Sequence, residues 1–456
     1  MLSAKLDSLV SQYSLNDLAI AINLNDSEIL SAGYGYCDSA CSQPITAETL
    51  FGVASITKLI TAIAILQLQD NGLLSLEDSV RYYYPTLKAA SNPNLKLQHL
   101  LSHSSGWPGM ASRFHAINLC APDDSSGGIA QGDPKEQRKA AKLLSTDDLV
   151  AFMNSQSIIP LTEPGQFTSY SNEGFCLLGG IIEQIKGCRW ELTIKQEIFK
   201  PLLMVNSAIG VPDAIHFKSI AQPITLKDFQ RVSCGFWDAP LFYPAGGAVS
   251  SVHDLLRLLT VLFHDGPLLT PDSRAQLLAL HQPVLSRGER HFGYGLGLEY
   301  RQFNSGTVMH WHTGQRAGLS ALVAAVPDKG LSMALLSNGS DAPLTALAHQ
   351  LIALLLKGCD SHWPPTIEQP AVQGTGLNPS GHYGSDEGFS FQVILRDDRV
   401  YLRDGGETTE QEMHFLTATS GYIGQQTFSF LITENIDPFD SKPWALALDL
   451  RVLRRK

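Results

Sequence analysis

Leu50-Phe51-Gly52-Val53-Ala54-Ser55-Ile56-Thr57-Lys58-Leu59-Ile60-Thr61-Ala62 holds a single charge, Lys58, in a stretch otherwise uncharged from Thr49 to Gln69. The residues after it, Leu59, Ile60, Ala62, Ile63, Ala64, Ile65, Leu66 and Leu68, are apolar on every side of a helical projection, as in a helix sunk in a core. Ser55 as N-cap and Gly72 as stop predict a helix between them. A three-residue step puts Lys58 on the face of Ser55, one turn on. A lysine there loses solvation and its pKa falls, and a neutral amine beside a hydroxyl is a base beside a nucleophile. Ser-x-x-Lys alone is a weak pattern, expected about once by chance in a chain of this length. The apolar context gives this one its weight.

Working outward, 456 residues with 44% hydrophobic content predict one large or two to three ordinary domains with filled cores. A net charge of −11 argues against nucleic acid or an anionic membrane as a main partner. Met1 to Asp7 lacks the apolar core of a signal peptide, and no uninterrupted apolar run is long enough to span a bilayer. Cys37, Cys41, Cys120, Cys176, Cys188, Cys234 and Cys359 form an odd set without metal-like spacing, read as reduced thiols. A cytoplasmic protein with no metal and no cofactor is the expectation.

Residues 3–14 read as an amphipathic helix, and 18–24 and 28–36 as strands around an Asn25-Asp26 turn. Helical patterns follow at 146–155, 174–186 and 251–263, strands at 293–300, 307–311, 319–326 and 331–337, and a helix at 342–357. The polar, small-residue segment 109–142 reads as a long loop or lid. Residues 359–376, with Trp363-Pro364-Pro365, read as a linker between a domain at 1–358 and a small antiparallel β module at 377–456. The fold class is α/β (α+β).

A nucleophilic serine needs a base, a proton path to the leaving group and an oxyanion site. Two further segments offer them: Glu163-Pro164-Gly165-Gln166-Phe167-Thr168-Ser169-Tyr170-Ser171-Asn172-Glu173-Gly174-Phe175 and Met309-His310-Trp311-His312-Thr313-Gly314-Gln315-Arg316-Ala317-Gly318. Ser55-x-x-Lys58, Tyr170-x-Asn172 and His312-Thr313-Gly314 together resemble, in order and separation, the three signature elements of the serine β-lactamase and penicillin-binding-protein superfamily. The runs 99–106, 163–185 and 243–251 resemble its class C-like branch, which includes D-aminopeptidases, family VIII esterases and related serine peptidases. The resemblance covers about residues 1–358. It implies an antiparallel sheet flanked by helices and an all-helical subdomain. The module at 377–456 resembles the lipocalin-like C-terminal domain of some relatives, read as a packing or oligomer-forming unit or as a lid that restricts substrate size.

The resemblance also implies roles. Ser55 attacks a carbonyl and forms an acyl-enzyme, Lys58 keeps it activated, Tyr170 shuttles the proton, and Asn172 orients Lys58 and the substrate amide. The backbone N–H groups of Ser55 and Gln315, the latter just after His312-Thr313-Gly314, form the oxyanion hole. Lys58 and Tyr170 both stay open as the acylation base. Taken singly, Tyr170 reads as a core tyrosine, Asn172 as a turn residue and His312 as a strand histidine. His103 and Trp107 read as structural or pocket-lining.

The departure is His312, where β-lactamases and carboxypeptidases usually carry lysine. A neutral imidazole offers a hydrogen bond in place of a fixed charge for a substrate carboxylate, although Arg316 is near in sequence. The expectation therefore moves to amidase or peptidase action on small peptides, D-configured ones among them. Esterase or acyltransferase action is the alternative, then β-lactamase, then a non-catalytic penicillin-binding or scaffold protein. The partner expected is a small-molecule or short-peptide substrate, with a homo-oligomer left open.

Overall fold

The computed structural model describes residues 2–117, 143–227, 230–234, 238–264, 266–284, 292–303, 305–340, 342–356, 378–397, 399–415, 420–423, 426–431, 442–443, 445–448 and 450–456. Most of the expected loop at 109–142 and the whole expected linker at 359–376 lie outside these residues.

An eight-stranded antiparallel sheet organises the first part of the chain. Across it run Ser27–Tyr34, Leu18–Leu24, Leu331–Ser337, Leu319–Val326, Val308–Arg316, Glu299–Gln302, Phe292–Tyr294 and Gln282–Pro283. The middle strands Leu319–Val326 and Leu331–Ser337 are buried at every position, because both faces of the sheet are covered. The period-2 alternation of a strand sends neighbouring residues to different cores. Ile20, Ile22, Leu322 and Ala324 pack with the helices Leu2–Gln12 and Leu344–Leu355. Ala19, Ala21, Ala321 and Val323 face the larger core around the helix Thr57–Asp70.

That helix is buried on all sides, from Thr57 through Leu66 and again at Leu68. It begins two residues later than the sequence predicts. Ser55 is not its N-cap but lies in a 3-10 turn, Ala54–Ile56, that leads into it. The predicted strand 293–300 is broken between Tyr294 and Glu299. Gly297 sits there at φ +77, and a Cβ on it would lie 2.9 Å from the Lys58 carbonyl oxygen, so the chain gives up its pairing to pass over the helix. Conversely, the predicted strand 307–311 extends to Arg316, because pairing with Leu319–Val326 carries it on.

The last part forms a closed eight-stranded antiparallel barrel from Gly381–Gly384 round to Arg451–Arg455. The pairs Tyr383↔Arg455 and Gly384↔Arg454 shut it. Tyr383, Val393, Leu402, Met413, Phe428, Phe430 and Leu446 fill its interior, with Phe415 and Phe428 in an edge-to-face pair at 4.9 Å. The barrel leans on the segment just before Tyr170. Leu161 packs with Leu431, Ala445, Ala447 and Val452, and the Arg454 guanidinium donates to the Ile159 carbonyl at 2.8 Å. Among the described residues no helix is long and apolar enough to cross a membrane.

Candidate active site

Ser55 is partly exposed at the mouth of the turn that enters the buried helix. Ala54, just before it, holds φ +44, a conformation that an alanine adopts only under constraint. The constraint is Thr57. Its hydroxyl donates to the Ala54 carbonyl at 2.7 Å and accepts from the Ala248 N–H at 3.0 Å, pinning the turn to the short strand Ala248–Ser250.

Lys58 is fully buried. Its ammonium nitrogen lies 3.2 Å from Ser55 Oγ, 2.8 Å from Asn172 Oδ1 and 2.8 Å from the Ala245 carbonyl oxygen. All three partners are neutral oxygens. Burial brings the Lys58 pKa down to about 7, so a large share of it is free amine at neutral pH. Asn172 opens the helix Asn172–Lys186, capped by the Ser171 hydroxyl, which accepts from the Gly174 N–H at 3.1 Å. The cap fixes the helix start and aims the Asn172 amide at Lys58.

Tyr170 stands over this pair. The Lys58 nitrogen is 4.8 Å from its ring centroid, and the phenol shares a hydrogen bond with Ser55. Burial pushes the phenol well above its ordinary pKa, while that hydrogen bond and the Arg451 guanidinium pull the other way. Tyr170 is therefore a neutral hydroxyl in contact with the nucleophile. His103 brackets it: its carbonyl accepts from the Ser169 N–H at 2.7 Å and its Nδ1 from the Ser171 N–H at 3.1 Å. Its ring stacks 4.0 Å from that of Tyr170. Sequence reasoning leaves His103 as structural or pocket-lining, and the structure gives it the specific task of holding both flanks of Tyr170.

The third segment packs along the Ser55 turn. A Cβ at Gly314 would lie 2.1 Å from the Val53 carbonyl oxygen, so only glycine lets the strand come this close. The approach places the backbone of Thr313 to Gln315 alongside Ser55. His312 itself turns inward and is 2% exposed. Its Nδ1–H donates to the Thr313 carbonyl at 2.6 Å and its Nε2 accepts from the Tyr294 hydroxyl at 2.8 Å, an assignment that follows from the partners. Burial lowers its pKa to about 3, so it is neutral with both nitrogens engaged. Arg316, from the same strand, donates to the Gly246 carbonyl at 2.5 Å. It lines a small-walled recess with Gly52, Gly246, Gly247 and Leu319.

Two further groups reach the site from the barrel, Arg451 and, behind it, Glu387. Nothing in the local sequence of either signals it, because only the docking of the barrel brings them to Tyr170. Among the described residues no cluster of histidine, cysteine, aspartate and glutamate could hold a metal ion.

The beta-lactamase family profile matches residues 2–357. The chain is 24% identical to penicillin-binding protein 4* of Bacillus subtilis (strain 168), over 88% of this chain and 86% of that one. It is 26% identical to esterase EstB of Burkholderia gladioli, over 75% of this chain and 93% of the esterase. The octameric penicillin-binding protein homologue from Pyrococcus abyssi shares the fold with a TM-score of 0.68 at 25% identity, covering 100% of this chain and 99% of that chain. With a match across most of its length, the chain belongs to the beta-lactamase family, the serine hydrolases that also include penicillin-binding proteins.

Proposed function

We propose that this protein is a serine amidohydrolase that forms an acyl-enzyme at Ser55 on small amide or short-peptide substrates, peptidase-like in its reaction. The observation that carries this reading is the Lys58 amine, buried, held by neutral oxygens and 3.2 Å from Ser55 Oγ. A lysine hydrogen-bonded only to neutral oxygens and partly deprotonated serves as a base. Lys58 takes the Ser55 proton as the hydroxyl attacks the carbonyl. The backbone N–H groups of Ser55 and Gln315 receive the developing oxyanion. Asn172 holds Lys58 and meets the substrate amide.

Tyr170 favours amides over esters. An amine leaves only once protonated, whereas an activated alcohol leaves without help. A neutral hydroxyl beside Ser55, on a ring that the Lys58 amine faces at 4.8 Å from its centroid, passes the proton on to the leaving nitrogen. His312 supports the same ranking against β-lactams, since its ring carries no charge and both its nitrogens are engaged within the protein. The division into a catalytic unit at 1–358 and a module at 377–456 belongs to this reading, supported by the family match ending at residue 357 and by the separate barrel core. Ester hydrolysis is the second reading, favoured by the similarity to esterase EstB.

Labelling with a fluorophosphonate probe tests the site. Ser55 is expected to carry the label and Ser55→Ala to lose it; labelling of the variant at another serine would sink the assignment. A steady-state panel of p-nitrophenyl esters, D- and L-aminoacyl p-nitroanilides, D-Ala-D-Ala peptides and nitrocefin ranks the substrates. Turnover confined to the esters would put ester hydrolysis ahead of amide hydrolysis.

A further inference from the structure

Arg451 opens the last barrel strand, and its Cζ stands 4.9 Å from the centroid of the Tyr170 ring. The placement is built from both sides. The preceding residue, Leu450, accepts a hydrogen bond from the Tyr170 N–H at 2.7 Å and shares a buried cluster with Tyr170, Val284 and Tyr294. Glu387, on the turn between the first two barrel strands, aims the guanidinium: Arg451 Nε donates to Glu387 Oε2 at 3.3 Å. The Phe389 ring supports it at 4.8 Å. Glu387 is 3% exposed, and its carbonyl accepts from Arg113 at 3.0 Å. Gly109 clears the space, since a Cβ there would lie 2.5 Å from Glu387 Oε2.

Lys58 and Arg451 thus share one phenol ring, each within 4.9 Å of its centroid. They lie within about 10 Å of each other, no more than one Debye length, around a buried ring where screening is weak. Lys58 can shed its charge as a proton; a guanidinium cannot. The other ionisable groups facing Tyr170 do not supply a positive charge. His103 and His312 are held neutral by burial, and burial pushes the Tyr294 phenol up. Glu299 and Glu387 act in the opposite sense on Tyr170; on Lys58, Cys176 and Glu173 act against Arg451 and Arg316 acts in the same sense as it.

We propose that Arg451 is a positioning residue for acylation supplied by the barrel: its guanidinium favours the unprotonated Lys58 amine across the Tyr170 ring, so barrel docking sets the pH range in which Ser55 reacts. The proposal rests on the acyl-enzyme reading above. Its sign is the same whichever of Lys58 and Tyr170 takes the serine proton, because a nearby positive charge favours the deprotonated form of either.

The test is the pH dependence of the rate constant for fluorophosphonate labelling of Ser55 in the full-length protein. Arg451→Gln should move the acid limb up by about one pH unit or more, as expected for removing a charge at this range. Below the limb that is roughly a tenfold slower reaction per unit. Arg451→Lys should restore most of the shift. Glu387→Gln keeps an acceptor for Arg451 and removes the opposing charge, so it should move the limb down. A fall in rate at every pH with the limb unmoved in Arg451→Gln would overturn the proposal. Should that variant not fold, Glu387→Gln decides: a limb that stays or rises overturns it. No labelling of wild-type Ser55 at any pH would overturn the acyl-enzyme reading itself, and this proposal with it.

Discussion

The two cations nearest the Tyr170 ring are held on opposite principles. Lys58 comes from a buried helix and hydrogen-bonds to neutral oxygens only, from Ser55, Asn172 and Ala245. Arg451 comes from the barrel and is held by the Glu387 carboxylate. A buried amine among neutral oxygens gives up its proton readily, whereas a guanidinium keeps its charge whatever its partner. The difference teaches how one site holds a base and a fixed charge close together: residue type sets which group can titrate, and the surroundings of Lys58 set where it does.

The largest expected effect comes from breaking the Lys58 side. Lys58→Met should cost about 10³-fold in Ser55 labelling, within the range for loss of a general base. Lys58→Arg should not rescue it, because a permanently charged group at that position cannot accept the proton. In the wild type the rate should rise as the pH climbs through about 7, where the Lys58 amine loses its proton. A profile flat from pH 5 to 9 would exclude Lys58 as the titrating base.

Tyr170→Phe should cost less, about 10²-fold on p-nitroanilides, and less again on p-nitrophenyl esters, whose leaving group needs no proton. Equal losses on both classes would remove Tyr170 from proton delivery and leave it a packing role. The ratio of the two losses therefore separates a relay from a support for Arg451.

The smallest expected effect on rate, and a clear one on stability, is at His312. His312→Lys would set an ammonium against the Tyr294 hydroxyl in a pocket 2% exposed, at a cost of about 3 kcal/mol in a denaturant melt. No gain in nitrocefin turnover is expected. Such a gain with stability unchanged would show that a side chain at 312 can turn toward the substrate.

How much of this is legible follows the distance over which each feature is encoded. The Lys58 corner is local. Its apolar surroundings and three-residue step reveal a buried helix with a lysine beside a serine, and only the start of that helix is misplaced, because the strained Ala54 turn is imposed by Thr57 and Ala248 from outside. The strands Leu18–Leu24 and Leu319–Val326 are readable from their own composition. The break at Gly297 is not, since it depends on how close the helix at Lys58 lies. In the barrel, the alternating runs Phe389-Ser390-Phe391-Gln392-Val393 and Val400-Tyr401-Leu402 mark strands by their own pattern. Glu410–Phe415 and Arg451–Arg455, rich in charge and half-buried, do not, because their pattern is set by docking and closure.

By itself, then, the sequence determined the chemistry on offer: a serine one helical turn from a desolvated lysine, with a tyrosine, an asparagine and a His-Thr-Gly strand in a recognisable order. Those properties rest on neighbours within a few residues or on motif order. Only the tertiary structure decided which way His312 faces, what holds Tyr170 and which fixed charge stands over it. The hydrogen bond from Tyr170 to Leu450 and the Arg451–Glu387 pair join segments far apart in the chain, and such contacts exist only once the barrel has closed and packed against the catalytic sheet.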